Sequence, residues 1–82
     1  MSVKEELIYD FSVSIPRVIT AGNIAIIDNV IRIVAFSETQ IIVHTGKKYI
    51  SAEGKGLMIR ELKEERMMIT GELEQISFFE TL

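Results

Sequence analysis

Between Met67 and Glu74 the chain alternates. Met67, Ile69 and Leu73 share one parity, while Met68, Thr70, Glu72 and Glu74 share the other. Period two is the pattern of a strand with one buried face. After Leu73 the next apolar residues are Ile76 and Phe78, so the parity flips. A bulge or break near Glu74-Gln75 would return the apolar set to the inward face. This reading places Ile69 and Leu73 in the core together with Ile59.

From Pro16 onward the same kind of pattern recurs between turn signals. Short strands are expected over 17–20, 24–27, 30–36, 40–45, 48–53, 57–62, 66–73 and 76–79. The breaks between them carry turn residues: Ala21-Gly22-Asn23, Asp28-Asn29, Ser37-Glu38-Thr39, Gly46-Lys47 and Gly54-Lys55-Gly56. Lys63-Glu64-Glu65 is a charged connector. Gly22, Gly46, Gly54 and Gly71 are turn or bulge positions, where the absence of a β-carbon permits backbone that other residues resist. Only residues 3–12 suggest a helix. Val3, Leu7 and Phe11 recur at i, i+4, i+8, Ile8 widens the stripe, and Ser2 with Glu5 has capping-box spacing. Pro16 prevents that helix from continuing through Ile15.

The expected fold is therefore all-β: a small antiparallel β-sandwich or roll of about 7–8 short strands, with one short N-terminal helix. No repeated equivalent layers are visible, so a sandwich is favoured over a solenoid. Residues 1–14 form an N-terminal segment and residues 15–82 a single β domain. Eighty-two residues leave no room for a second core. Fourteen Ile, six Val and five Thr agree with strands, because β-branched side chains suit the pleated surface.

The segment from Ile24 to Phe36 departs from clean alternation. Val30, Val34 and Phe36 lie on one parity, Ile31 and Ile33 on the other. One such face exceeds what a small domain can cover by itself. Val30, Ile31 and Ile33 are accordingly candidate interface residues. Met68, on the polar parity of its strand, joins them because methionine adapts to partner surfaces. Self-association into a homo-oligomer is expected.

Charge and chemistry narrow the function. Nine Lys/Arg against twelve Asp/Glu give −3, and only Lys47-Lys48 are adjacent basic residues, so no nucleic-acid partner is expected. No run is long and apolar enough for a membrane span. Without cysteine there is no disulfide or thiolate site. His44 is the sole histidine, and its place in an alternating strand makes it a solvent-facing or sheet-neighbour side chain rather than a metal ligand. Thr45-Gly46-Lys47-Lys48 lacks the upstream glycine and the trailing Ser/Thr of a phosphate loop, and reads as a hairpin turn. No catalytic, metal or cofactor site is expected.

The order of residues resembles one known family. Ile15-Pro16-Arg17-Val18, followed by Gly22-Asn23, is similar to the "L-P-R-hydrophobic…G-N/Q" opening of the YabP/YqfC family of sporulation proteins. Ile27-Asp28-Asn29 is similar to its "I-E-N", and Ile33-Val34-Ala35-Phe36-Ser37 to its "I-L-E-Y-S". Gly46 to Gly54 follows "G…I-x-I-x-G", and Leu57 to Glu61 the "L-x-I-K-E" strand. Glu64 to Phe78 follows "E-E-x-L-x-I-x-G-x-I-x-x-I-x-F". The resemblance covers residues 15–78 and is nearest the YqfC type. It implies a non-catalytic structural or assembly protein of the mother-cell cytoplasm, working at the membrane around the forespore. It also implies protein partners, among them a YqfD-like membrane protein, and a role in spore-envelope assembly. The alternative is a small-ligand-binding or regulatory β-module. A pocket of convergent polar groups would favour that alternative, and an apolar face would favour assembly.

Overall fold

A computed structural model describes residues 17–46 and 48–81. The helix expected over 3–12 lies outside the described residues. Six strands follow in chain order: β1 (Val18–Ala21), β2 (Ile24–Ile27), β3 (Arg32–Phe36), β4 (Gln40–His44), β5 (Tyr49–Lys63) and β6 (Arg66–Phe79). All neighbours are antiparallel, in one sheet of order β1-β2-β6-β5-β4-β3. The all-β antiparallel expectation is met. The strand count differs, because the segments read as 48–53 and 57–62 run on as β5, and 66–73 and 76–79 run on as β6. Gly54-Lys55-Gly56 is thus a set of bulged strand residues rather than a turn.

The long β5–β6 hairpin is the spine. Its register shifts three times, between Glu53 and Gly54, between Lys55 and Met58, and between Ile59 and Glu61. At the first shift Gln75 opposes Glu53 and Leu73 opposes Gly54, leaving Glu74 as the extra residue. That is the bulge that the change of parity after Leu73 calls for. It puts Leu73 and Ile76 on the same side, both packed against the core.

The shifts divide the sheet into two halves. One contains β1, β2, the start of β6 and the end of β5. The other contains β3, β4, the start of β5 and the end of β6. Ala25, Ile27, Met67 and Ile69 from the first half and Ile41, Val43, Ile50 and Ala52 from the second are all buried in a single cluster. No helix is present among the described residues to cover either inner face. The sheet bends and covers itself. Ile69 is in the core as expected, whereas Ile59 and Leu73 are only partly buried and pack against its margin.

Two turns illustrate the local chemistry. Ala21 pairs with Ile24, so Gly22-Asn23 is a two-residue turn, and Gly22 has a φ of 62° at its first central position. Glycine there is what a right-twisted hairpin selects. Lys63 pairs with Arg66, and Glu64 and Glu65 both have positive φ, 54° and 63°. That backbone normally favours Asn-Gly, and Glu-Glu holds it under strain.

Candidate interaction surface

Consecutive residues tie the halves together before β3 begins. The Val30 amide donates to the Glu65 carbonyl at 2.8 Å, in the β5–β6 turn, and the Ile31 amide donates to the His44 carbonyl at 2.7 Å. Val30 is 4% exposed and belongs to the core, so its place among the candidate interface residues is corrected. Mixed parity in 24–36 reflected two buried inner faces as much as a free outer one.

Ile31 and Ile33 are at the surface, 56% and 40% exposed, and Phe36 joins them at 59%. The shared side of Ile33 and Phe36 follows from β3's own bulge. Ile33 pairs with Val43 and Ala35 with Ile42, so Val34 is the extra residue. The bulge turns both Ile33 and Phe36 toward the core-facing side of the sheet. The rows then read Ile33–Val43–Ile50–Phe78 and Phe36–Ile41–Ala52–Ile76 across four strands. The inner members are buried, whereas Ile33, Phe36 and Phe78 are exposed. The apolar face extends past the half-sheet that covers it and ends open at β3.

Met68 lies elsewhere. It sits on the outer face of the first half, in the row Ile19–Ile26–Met68–Glu61, and is partly buried. The structure therefore groups Ile31 and Ile33 and separates both Val30 and Met68 from them. His44 is half-buried and packs its ring against cross-strand Tyr49, with centroids 4.5 Å apart. The Thr45 hydroxyl and amide both donate to the Lys48 carbonyl, at 3.0 and 2.8 Å, closing the β4–β5 turn at Gly46.

The sequence reading missed one polar constellation. An open cleft of about 490 Å³ is lined by Arg17, Asp28, Asn29, Glu61, Lys63, Glu64 and Arg66. Arg66 Nε donates to Asp28 Oδ1 at 2.7 Å, and Arg17 Nη1 lies 3.8 Å from Asp28 Oδ2. The hydrogen bond from Arg66 to Asp28, and then the Asp28 charge, raise the Arg66 pKa above its ordinary value. Asn29, with a φ of 64°, turns the chain beside Asp28. The Asp28-Asn29 turn signal was visible in the sequence. Its pairing with a residue 38 positions away was not.

Among the described residues no three His, Asp or Glu side chains converge as a metal would require. No helix of the described residues is long and apolar enough to cross a membrane. Neither the curated proteins nor the solved structures give a significant match. A family model does: that of the YabP family, over residues 18–81. The match begins at the first residue of β1 and extends two residues beyond the end of β6, so it takes in the whole folded sheet. The chain belongs to the YabP family, and with it to the sporulation-associated proteins.

Proposed function

We propose that the protein is a non-catalytic assembly factor of sporulation that works in the mother-cell cytoplasm by protein–protein docking at β3. The observation that carries this reading is the open end of the apolar face, where Ile33 and Phe36 sit in core-facing rows yet are exposed. Exposed apolar side chains continuous with a core mark interaction surfaces. The occupant we assign is a second copy of the chain. Laid antiparallel about Val34, two copies of Arg-Ile-Val-Ala-Phe set Arg32 of each across from Phe36 of the other, a cation over an aromatic ring. No acidic residue interrupts the strand. A YqfD-like membrane protein is the further partner that the family resemblance implies, reached by the assembled form at the membrane around the forespore.

The small-ligand reading rests on the charged cleft. Its one partly buried carboxylate, Asp28, is already engaged by two arginines, and every lining residue is charged or an amide. Small-molecule sites are mostly apolar with a few polar groups, so this cleft supports the ligand reading less well than β3 supports assembly. Light scattering on the full chain, with Ile31→Glu and Phe36→Glu alongside, is the test. Association by the parent and loss of association by both variants with unchanged melting support docking at β3. A parent that stays monomeric at high concentration removes the reading.

A further inference from the structure

The sheet has a second edge, at the end opposite β3. Among the described residues β1 packs against β2 alone, so its other side is unpaired there. The Asp28 amide donates to the Arg17 carbonyl at 2.9 Å, and the register runs on through Ile19–Ile26 to Ala21–Ile24. Backbone groups alternate in direction along an antiparallel strand. Arg17, Ile19 and Ala21 therefore point theirs at β2, and Val18 and Thr20 turn both amide and carbonyl outward. Edge strands are usually guarded by charge, proline or a bulge. Val18-Ile19-Thr20-Ala21 contains none of these, and its register with β2 is unbroken.

We infer that this edge pairs with β1 of a second copy of the chain, antiparallel and centred on Ile19. Three observations select that occupant and register. First, the edge is self-complementary. Centring on Ile19 sets Val18 of each copy across from Thr20 of the other, so every outward amide meets an outward carbonyl. Centring on Thr20 instead sets Val18 against Gly22, which belongs to the β1–β2 turn. Second, the apolar outer face becomes continuous. Ile19 is exposed at the end of the row Ile19–Ile26–Met68. The pairing places the two Ile19 side chains directly opposite each other in the close, non-hydrogen-bonded position, and joins the two rows end to end. Third, no like charges oppose. Arg17 of each copy faces Ala21 of the other, and its Nη1 lies 3.8 Å from Asp28 Oδ2 of its own chain. The contact is short, so covalent trapping reads it better than mass. It does not rest on the docking proposed at β3.

No native cysteine competes in the test. Ile19→Cys puts its two copies on Cα atoms about 4.5 Å apart, within reach of a disulfide. Ala21→Cys lies on the same face of the same strand and is also exposed, but its two copies are offset by about 13 Å. Oxidation should join Ile19→Cys chains at least about tenfold faster than Ala21→Cys chains. Equal rates overturn the inference. So does an Ile19→Cys chain that stays monomeric, the result expected if another part of the same chain covers this edge. Thr20→Pro removes an outward amide and no bond to β2. Added to Ile19→Cys, in a variant whose circular dichroism matches the parent, it should slow joining to the Ala21→Cys rate, and an unchanged rate overturns strand pairing. Oxidation in the Phe36→Glu background separates this interface from the one at β3. Trapping that persists there supports pairing at β1 whether or not β3 docks, and trapping lost there overturns it.

Discussion

Gly56 and Gly71 face each other across the central hairpin so closely that a β-carbon on Gly71 would lie 2.7 Å from the Gly56 carbonyl oxygen. The contact is not symmetrical. A β-carbon on Gly56 would meet nothing within 4 Å. Gly56 and Leu57 together oppose Gly71, and this is the place where the two halves of the sheet diverge.

Gly71→Val should therefore be far more damaging than Gly56→Ala. Gly71 has a φ of 136° and no space, and strain plus overpacking should cost about 2–5 kcal/mol. Gly56 has a φ of 59° and free space, so only its left-handed backbone opposes Ala, at about 1–2 kcal/mol. Urea denaturation of both variants gives the comparison, and equal losses would contradict the bulge geometry.

Ile69→Ala should cost roughly 2–5 kcal/mol. Ile69 is fully buried, pairs with Ala25 on one side and Ile59 on the other, and lies where both half-sheets meet in the core. For a chain whose whole stability is of the order of 4–12 kcal/mol, that loss is large. A thermal melt matching the parent would exclude this core assignment.

Replacing Glu64-Glu65 by Asn-Gly should stabilise the protein by about 1 kcal/mol. Both glutamates hold positive φ, and the useful contact of this turn, Val30 amide to Glu65 carbonyl, is made by backbone alone. The substitution keeps that bond and removes the strain. A lower urea midpoint in the variant would show that the glutamate side chains matter more than the backbone.

Adjacent residues should respond oppositely to a charge. Val30→Glu places an unpaired carboxylate in the core and should unfold the chain, at a cost of several kcal/mol. Ile31→Glu places it in solvent and should leave the melting temperature within a few degrees of the parent. Circular dichroism melts of the two variants decide this directly.

Alternation and turn chemistry were enough to establish an all-β antiparallel chain, the bulge at Glu74 and a core containing Ile69, because each depends on side-chain parity within a few residues. The family was legible as well, since its pattern is an ordered series of such local signals. The strand count was not legible. Glycine-containing segments read as turns on local grounds, and only pairing along the full hairpin let β5 pass through Gly54, Lys55 and Gly56 as a strand. Nor could parity tell Val30 from Ile31. Both are apolar and adjacent, and what separates them is that the amide of one is held by the β5–β6 turn and the amide of the other by β4. The same holds for Asp28 and Arg66, which meet only because β2 lies beside β6. Burial and pairing across the sheet depend on which half faces which. That is decided by the bend of the spine, a property of the assembled sheet that no single segment encodes.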